Sequence, residues 1–415
     1  MLNDDQLNAF TSISSLFANG ENVVLLTGNA GTGKTYLVGE MVRCEKGLVV
    51  CAAPTNKAVS VIKEKVGKAR NADFRTVHSL LCMKKMFDDD GNVTYGISDI
   101  SKAREGMDAY DMIVVDEASM MSSELMRLLH DNYGRRILYV GDDKQLNPVN
   151  EADSPVFTSD IPEVRLTKIV RQAEGNPIIM LSQDVELIAS RESVMDGDKG
   201  YAFTYDRDRI VERLASDMSV KYLAWTNECV NRMNSDVRNA LHGQNASRVV
   251  KGEVIILDEM YRDIRYTNEE VIVDDVKDRV VKFEVACPRS LRGYFKEDMS
   301  QYDIPVHVIN GKGMTWTYEG ELPYRKAERK MIAVCRKNTT LWKHYFAFRE
   351  MFMRFKYGYA MTVHKSQGST YRSVIVDVGD ILRNQNRKEC RRMLYTAVTR
   401  ASDKLILYNV RRFKL

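Results

Sequence analysis

The sequence lacks the patterns that mark secreted, membrane-spanning and metal-scaffold proteins. Its seven cysteines are scattered and form no Cys-x-x-Cys pair, so neither a disulfide framework nor a zinc site is predicted. No apolar run approaches the ~18 residues that a membrane helix needs. Met1 is followed by a polar segment and not by a signal peptide. These absences predict a cytoplasmic protein with reduced cysteines.

The sequence also has little excess of charge of either sign. Its 61 basic and 57 acidic residues give a net charge of +4, which by itself favours nucleic acid only slightly. The last third is denser in Lys and Arg, as at 387–388 and 391–392. A chain of 415 residues with 44% hydrophobic residues is long enough for several packed domains. The partner must therefore be inferred from motifs.

The most informative segment is glycine-rich and directly follows the apolar run Val23–Leu26. This strand–loop–helix context is typical of a phosphate-binding loop, in which successive backbone N–H groups surround phosphate oxygens. The next helix presents its positive end to the same charge. The predicted nucleotide-binding residues are Gly28, Asn29, Ala30, Gly31, Thr32, Gly33, Lys34 and Thr35. Lys34 would reach the terminal phosphates of ATP, and the Thr35 hydroxyl would bind Mg²⁺.

Strand-like runs alternate with helical patterns through the first part of the chain, beginning with an amphipathic helix that ends near Asn19. The runs are Val23–Leu26, Leu48–Ala52, Met112–Val115 and Ile137–Val140. Such alternation predicts right-handed βαβ units and a parallel sheet, hence an α/β fold. Ligands of these sheets collect at the carboxyl ends of the strands.

Carboxylates follow the third of these runs at Asp116 and Glu117. A carboxylate at the end of a buried strand is costly unless a cation compensates it, so Asp116 is predicted to bind Mg²⁺. Glu117 would then be free to accept a proton from the attacking water. Gln145, after the fourth run, could contact the γ-phosphate or its water. These residues predict hydrolysis and not only binding.

Five segments in order resemble the motifs of one family. Residues 116–119 and 141–149 look like motifs II and III of superfamily 1 helicases, and residues 362–370 and 394–401 resemble motifs V and VI. The His-Lys-Ser-Gln-Gly form of motif V is typical of the RecD-like, 5′→3′ branch. Residues 5–10 resemble the adenine-reading Q motif of the small phage Dda-type helicases. The chain is thus similar to this branch over nearly its whole length, and above all to the Dda type.

The resemblance implies two RecA-like domains with ATP in the cleft between them. Arg171, in a segment similar to motif IV, and Arg400, in motif VI, would neutralise charge on the γ-phosphate as arginine fingers. Gln367 and Gly368 would lie near both ATP and DNA. Gln6 would hydrogen-bond the adenine edge.

The resemblance also implies a track for single-stranded DNA, on which aromatic side chains stack bases. Its predicted residues are Pro54, Thr55, Asn56, Lys57, His78, Thr226, Asn227, Thr362, His364 and Lys365. For His78 a purely structural hydrogen bond is an equal alternative. Trp225 is predicted to be core.

Two insertions distinguish the chain from a bare motor. Residues 86–95 read as a β-hairpin that, in the Dda-type family, acts as a pin splitting the duplex at the fork. Phe87 is the candidate pin aromatic, with Tyr95 or the acidic turn as alternatives. A larger insertion resembles an SH3-like β-barrel through the runs Val254–Leu257, Val271–Val273, Val280–Val285, Val306–Ile309 and Met331–Val334. The aromatic-rich segment at 342–355 is predicted to be a helix used for packing.

These patterns predict a four-part layout and one function. The parts are a first RecA-like domain at 1–165 with the hairpin at 82–105, a second RecA-like domain at 166–251 and 339–415, and the SH3-like insertion at 252–338. The predicted protein is a monomeric ATP-dependent 5′→3′ helicase acting on single-stranded and forked DNA. Phage-type replication or recombination, with proteins of those processes as partners, would place it in a host cytoplasm.

Three alternatives use the same motifs. The chain could be an RNA helicase, a translocase that does not unwind, or a module that binds ATP only as a structural ligand. Glu117 beside Asp116 argues against the last, because a simple binder needs no base.

Overall fold

The chain folds into two compact units. The computed structural model describes residues 2–67, 69–87, 93–148, 151–170, 175–190, 192–259, 261, 269–284, 301–336 and 339–410. The first unit comprises Met1–Lys84, Gly96–Met233 and Tyr359–Leu415, and the second comprises Lys85–Tyr95 and Asn234–Gly358. The chain therefore enters the second unit twice.

The strands and helices of the described residues are as follows. The strands are β1 Val23–Gly28, β2 Val49–Ala53, β3 Ala72–Thr76, β4 Met83–Phe87, β5 Val93–Ile97, β6 Met112–Val115, β7 Arg136–Gly141, β8 Glu163–Leu166, β9 Val194–Asp196, β10 Lys199–Thr204, β11 Lys221–Ala224, β12 Val254–Leu257, β13 Glu270–Ile272, β14 Val276–Glu284, β15 Gln301–Ile309, β16 Gly313–Trp316, β17 Phe355–Tyr357, β18 Ala360–Thr362, β19 Tyr371–Asp377 and β20 Ala401–Tyr408. The helices are α1 Asp4–Ala18, α2 Lys34–Cys44, α3 Asn56–Val66, α4 Val77–Leu80, α5 Ile100–Asp108, α6 Ser123–Asn132, α7 Pro155–Thr158, α8 Pro177–Gln183, α9 Arg207–Ser216, α10 Asn227–His242, α11 Tyr318–Cys335, α12 Trp342–Glu350, α13 Val378–Ile381 and α14 Arg387–Val398.

The N-terminal sheet of the first unit is parallel throughout, in the order β3-β2-β6-β7-β1-β8. Its strands alternate their side chains between two apolar layers, as strands must. Val24, Leu26 and Val114 join the layer that also contains α1, α2 and α3. Ile113 and Val115 join the opposite layer with α4, α5 and α6. Burial on both faces explains why these strands read as continuous apolar runs, and the predicted parallel α/β fold is confirmed.

A second sheet of the first unit has the order β18-β11-β19-β20-β10-β9. Its strand pairs are parallel, except that β9 runs antiparallel to β10 at one edge. Helix α14 is amphipathic and buries most residues of its C-terminal half, from Met393 to Val398. The first unit thus contains one wholly parallel sheet and one that is parallel except at its β9 edge, and each can carry ligands at its carboxyl edge.

The second unit contains two three-stranded antiparallel sheets, β13-β12-β17 and β14-β15-β16. Helices α11 and α12 share one apolar core with the second of these sheets. Aromatic rings dominate this core: Trp316 stacks on Tyr324 with 4.3 Å between centroids, and Tyr324 stacks on Phe348 at 5.4 Å. The prediction that the aromatic-rich helix serves packing is confirmed.

Three predicted boundaries are corrected by the structure. The run Met331–Val334 was predicted as a strand and is wrong, because it lies in α11, where Ala327, Met331 and Cys335 are buried at helical spacing. The hairpin was predicted to occupy residues 82–105, but its second strand, β5, ends at Ile97. The last residues of that range instead begin helix α5, whose first turn is capped by the Asp99 side chain.

The second unit is also larger than the predicted insertion at 252–338. It begins at Asn234 and continues to Gly358. Two contacts explain the extension: the guanidinium of Arg238 bonds the buried Glu253, and α12 packs in the core of the second unit. Among the described residues, no helix is long and apolar enough to cross a membrane.

Candidate nucleotide-binding site

The glycine-rich loop connects β1 to α2 in a conformation that requires its glycines. Gly31 and Gly33 have φ values of 83° and 81°, a region that other residues rarely adopt. At Gly28 a Cβ atom would lie 2.8 Å from Thr32 Oγ1 and 2.9 Å from the Leu166 carbonyl oxygen. The sequence therefore folds into a tight turn directly before the helix that begins at Lys34.

The ammonium group of Lys34 folds back over this loop. Its Nζ donates to the carbonyl oxygens of Gly28 at 2.5 Å and Asn29 at 3.1 Å. The cation is thus held above the backbone amides that the loop offers to phosphate. The predicted loop residues form one contiguous turn at the carboxyl end of β1, in the conformation that such an anion-binding loop requires.

Gln6 reaches the same loop from α1. It is 3% exposed, its side-chain amide donates to the Thr32 carbonyl at 3.2 Å, and its Oε1 accepts from the Asn3 amide at 3.1 Å. The structure therefore places Gln6 at the phosphate loop, as a residue that also closes the N-terminal cap of α1.

Asp116 and Glu117 follow β6, two strands from β1 in the same sheet. Burial, with the charge of Glu117 as a second cause, raises the pKa of Asp116 to about 7. Its carboxylate accepts from the Glu117 amide at 2.9 Å. Glu117 itself has φ 53°, a strained backbone for a non-glycine residue of the kind that clusters at functional sites. A buried carboxylate with a raised pKa is a group that a cation would stabilise.

Buried polar atoms around this turn have no hydrogen-bond partner among the described residues. They are Asn29 Oδ1, Ser119 Oγ and Gln145 Oε1. Unsatisfied buried oxygens are rare and require an explanation, and a polar ligand is one. These three atoms, with the carboxylate of Asp116 and the hydroxyl-bearing Thr35 on α2, therefore fit a nucleotide with Mg²⁺. Among the described residues, no cluster of three His, Cys, Asp or Glu side chains could hold a metal by itself.

The loop after β7 is a tight turn held by Asp142, which is 1% exposed. One carboxylate oxygen accepts from the Lys144 amide at 3.1 Å, and its backbone carbonyl accepts from the Gln145 amide at 3.1 Å. The turn buries Gln145, which is 6% exposed. The predicted γ-phosphate residue is thus fixed by its backbone, while its Oε1 has no partner among the described residues.

Hydrogen bonds join the loops of the N-terminal sheet to those of the second sheet. The Ala30 amide donates to the Tyr395 hydroxyl at 2.9 Å, and the Leu146 amide donates to the Thr396 hydroxyl at 3.2 Å. The side-chain amide of Gln367 donates to the Leu146 carbonyl at 3.3 Å. Gln367, which is predicted to lie near both ATP and DNA, thus bonds the residue that follows Gln145. Gly368, with φ 71°, packs against Ala58 so closely that a Cβ would lie 3.2 Å from Ala58 Cβ.

Sequence reasoning missed Tyr395, Thr396 and Asp142. Tyr395 and Thr396 lie within the segment recognised as motif VI, and Asp142 lies within motif III. Nothing in the local pattern distinguishes a Tyr that bonds a distant loop from one that fills a core. The one signal that could have found Asp142 is its place directly after a buried strand, because a carboxylate there requires hydrogen-bond donors.

Arg400 is a buried cation, 6% exposed, at the end of α14. Its guanidinium donates to the carbonyl oxygens of Thr396 and Ser369, each at 3.0 Å, and to the Thr399 hydroxyl at 3.2 Å. Among the described residues, no carboxylate forms an ion pair with Arg400. Such a charge is expensive without an anion, which fits the role of an arginine finger.

Arg171 lies outside the described residues. Val170, the residue before it, donates its amide to the Gly31 carbonyl at 3.0 Å, so the chain reaches the phosphate loop there.

The residues predicted to contact DNA fall into two sets, one at the carboxyl edge of each sheet. The first set follows β2 and β3, which are neighbours, and contains Pro54, Thr55, Asn56, Lys57 and His78. The second set follows β11 and β18, which are also neighbours, and contains Thr226, Asn227, Thr362, His364 and Lys365. For Phe87 the structure describes only the backbone, at the end of β4. β4 and β5 pair in a two-stranded sheet.

Several of these side chains already have structural tasks. The hydroxyls of Thr55 and Thr362 accept from the amides of Ala58 and Lys365. The Thr226 hydroxyl donates to the buried Asp380. These contacts shape the loops, so such threonines are better suited to positioning backbone donors than to binding phosphate directly.

Burial lowers the pKa of both His78 and His364. At neutral pH these histidines are therefore uncharged, and either would meet a phosphate as a hydrogen-bond donor and not as a cation. Trp225, predicted as core, is only partly buried.

Two family patterns match the sequence. Residues 1–213 match the AAA domain family, and residues 357–408 match the UvrD-like helicase C-terminal domain. The first match covers the phosphate loop, Asp116 and Gln145. The second covers Gln367, Tyr395 and Arg400. The two matches thus include both halves of the site.

Curated relatives point in the same direction. The ATP-dependent DNA helicase dda of Enterobacteria phage T4 is 28% identical over 283 residues, which is 62% of this chain and 61% of that protein. The ATP-dependent RecD2 DNA helicase of Deinococcus radiodurans is 35% identical over 170 residues, 39% of this chain and 21% of that protein. Among solved structures, Bacteroides Pif1 bound to single-stranded DNA has a TM-score of 0.54 at 16% identity, covering 98% of this chain and 92% of that one. That structural likeness concerns the fold.

Proposed function

The chain belongs to the AAA domain family and to the superfamily 1 helicases of the RecD-like branch, and from this we propose an ATP-driven DNA helicase. It would move 5′→3′ along single-stranded DNA and separate duplex ahead of it. One observation carries the proposal: the phosphate loop at Ala30 and the motif VI helix at Tyr395 are hydrogen-bonded to each other. A nucleotide at this loop acts where both parallel sheets meet, so its binding can change their separation.

The chemical roles follow from charge and burial. Lys34 and the buried Arg400 stabilise negative charge on the terminal phosphate. Glu117 accepts a proton from the attacking water, because its side chain is only half-buried and Asp116, the neighbouring carboxylate, takes the cation. Gln145 orients that water through its Oε1, which no group of the described residues contacts by a hydrogen bond. Arg171 would supply a second arginine finger.

Thr35 and Asp116 are the residues that would hold Mg²⁺. When bound, the ion would neutralise phosphate charge and polarise the bond that is cleaved. A bound cation would also reverse the high pKa that burial gives Asp116, because it stabilises the ionised carboxylate.

Single-stranded DNA would lie over the two sets of loops at the carboxyl edges of the sheets. Closure around ATP would shorten the distance between the sets, and reopening after hydrolysis would move one set along the strand. Gln367 and Gly368 are suited to relay closure, because they contact Leu146 on the nucleotide side and Ala58 on the α3 side. Gln6 would meet the adenine of ATP with its second amide hydrogen.

Further parts of the proposal concern layout and setting. The two parallel sheets would be the cores of two RecA-like domains. The strands of the second unit would form the SH3-like insertion. The hairpin β4–β5 would act as the pin, with Phe87 at the fork. The likeness to a phage T4 helicase favours a role in phage-type replication or recombination. The proposed form is a monomer.

The proposal is tested by ATP hydrolysis measured with single-stranded DNA, with single-stranded RNA of the same sequence, and with neither. Stimulation by DNA well above that by RNA is expected. Equal stimulation by both would reassign the substrate, and no turnover with DNA would contradict the proposal.

A further inference from the structure

The hydroxyl of Tyr395 lies between two loops of the nucleotide site. The side chain is 3% exposed, accepts a hydrogen bond from the Ala30 amide at 2.9 Å, and donates one to Asp142. Burial, followed by the charge of Asp142, raises the pKa of Tyr395, so the hydroxyl keeps its proton throughout the physiological range. It therefore remains a donor to Asp142 while it accepts from Ala30.

The contact with Ala30 occupies a group that a nucleotide needs. The Ala30 N–H belongs to the phosphate loop, whose backbone amides are the donors for phosphate oxygens. One N–H carries one proton and makes one strong linear bond. A phosphate oxygen that takes this proton must displace the Tyr395 hydroxyl, so the contact competes with nucleotide.

The contact with Asp142 leads to Gln145. The second oxygen of the Asp142 carboxylate accepts from the Lys144 amide, and the Asp142 carbonyl accepts from the Gln145 amide. A carboxylate that is 1% exposed depends on its donors, because losing one leaves a buried charge partly unsatisfied. A displacement of the Tyr395 hydroxyl therefore changes the hydrogen bonding of Asp142 and, with it, the turn that carries Gln145.

We propose that Tyr395 is a positioning residue that transmits phosphate occupancy at Ala30 to the turn bearing Gln145. In the form described here, its hydroxyl holds the phosphate loop and the Asp142 turn together. When nucleotide takes the Ala30 N–H, the hydroxyl gives up that bond and is free to follow Asp142, which sets Gln145 for hydrolysis. This inference rests on the proposed function and adds a residue to it.

The variant Tyr395→Phe keeps the ring and removes both hydrogen bonds. Its affinity for a fluorescent ADP analogue is expected to rise about three- to tenfold, because the competing bond is lost. Its DNA-stimulated kcat is expected to fall at least about fivefold, because the Asp142 turn loses its partner. A purely structural role would lower stability without tightening ADP.

Tyr133→Phe is the matched control. Tyr133 is also buried, at 4% exposed, and its hydroxyl donates to the Tyr110 carbonyl at 3.0 Å, on a different side of the sheet from the nucleotide loops. This control is expected to change neither the ADP affinity nor kcat by more than about twofold. Thermal melting of both variants separates loss of folding from loss of coupling.

A second variant, Asp142→Asn, keeps an acceptor oxygen for the Tyr395 hydroxyl. ADP affinity is therefore expected to stay within about twofold of the parent protein, while kcat falls. In the double variant, kcat should fall no further than in the more affected single variant, because both substitutions act through the turn that carries Gln145. If Tyr395→Phe does not fold, Asp142→Asn provides the test. An unchanged kcat in that variant overturns the inference.

Unchanged or weaker ADP binding by folded Tyr395→Phe also overturns it. The binding measurement needs no turnover. A parent protein that binds ADP but never hydrolyses ATP would contradict the proposed function, and the affinity of Tyr395→Phe would still decide the competition at Ala30.

Discussion

Glu117 adopts a left-handed backbone, and its neighbour Asp116 is a carboxylate with a pKa raised to about 7 by burial. Neither feature stabilises the fold on its own. Strain and a buried charge persist when the surrounding structure fixes them, and they are then available to a ligand. At the residue scale, the site therefore contains groups that a ligand would stabilise. A cation would stabilise the Asp116 carboxylate, and hydrogen-bond donors would satisfy Asn29 Oδ1 and Gln145 Oε1.

Lys34→Ala tests the nucleotide assignment. Removing the ammonium is expected to lower DNA-stimulated ATP turnover by at least about 100-fold, because it removes a charge aimed at the terminal phosphates. Binding of single-stranded DNA should change by less than about threefold. The measurement pairs steady-state ATPase assays with fluorescence anisotropy of a labelled oligonucleotide.

Lys57→Ala is the matched control for Lys34→Ala. It removes a cation from the loops predicted to contact DNA, so it should weaken oligonucleotide binding and leave ATP binding in place. Substantial turnover by Lys34→Ala would contradict the assignment of the phosphate loop.

The positions of the candidate site residues could be predicted from the sequence where a motif fixes the backbone around them. Lys34 follows a loop whose conformation requires glycine at Gly31 and Gly33, and Asp116 directly follows a strand that is buried on both faces. Tyr395 could not be predicted, because its partners Ala30 and Asp142 are hundreds of positions away in the sequence. Its contacts depend on how α14 lies against the loops of the N-terminal sheet, which no local sequence pattern encodes.

At the scale of elements, α12 could have been either a core helix or a stacking platform for bases, because both use aromatic residues. The structure shows that α12 is a core helix. Phe348 is 1% exposed, with its ring 4.2 Å from that of Phe283 and 5.4 Å from that of Phe352, centroid to centroid. Its burial requires the sheet β14-β15-β16 and α11 to close over it.

Phe348→Ala tests this packing. Loss of a buried ring is expected to lower the free energy of unfolding of the second unit by about 3–5 kcal/mol. Denaturant titration followed by fluorescence would measure it. Leu322→Ala is the control, since Leu322 is 61% exposed on α11 and its loss should cost little. A near-neutral Phe348→Ala would contradict the assignment of this helix to the core.

The two-stranded sheet β4–β5 is the element proposed to act as the pin. Phe87→Ala is expected to reduce unwinding of forked duplex at least about tenfold while DNA-stimulated ATPase stays within about twofold, because splitting the fork is separate from moving along the strand. Unwinding and ATPase assays on the same substrate would measure both rates.

Tyr95→Ala is the comparison for Phe87→Ala, since Tyr95 is exposed on the partner strand. A selective loss of unwinding in Tyr95→Ala alone would move the pin to that residue. An equal loss of unwinding and ATPase in Phe87→Ala would assign Phe87 to the motor or to packing.

Strands marked by an uninterrupted apolar run were predictable from the sequence. Elements whose type depends on tertiary contacts were not. The strands β1, β2, β6 and β7 were confirmed within one or two residues, because apolar runs between turn residues leave no other way to bury them. The run Met331–Val334 was wrong because four apolar residues fit either a strand or one face of α11. Only its packing partners decide.

At the scale of the whole molecule, the chain is two compact units rather than a row of insertions. The first unit contains both parallel sheets, and the second contains antiparallel sheets with α11 and α12. Nothing in the composition near residue 234 or 358 marks a change of unit, which is why the predicted insertion was too short. The division between the units falls inside α10, between Met233 and Asn234.

The polarity of unwinding tests the central claim most directly. One duplex would carry only a 5′ single-stranded tail and a second duplex of identical sequence only a 3′ tail, each with ATP and Mg²⁺ and with Lys34→Ala as the inactive control. The account predicts ATP-dependent separation of the 5′-tailed duplex and little of the 3′-tailed one. Separation of the 3′-tailed duplex, or of neither while ATP is hydrolysed, would contradict it.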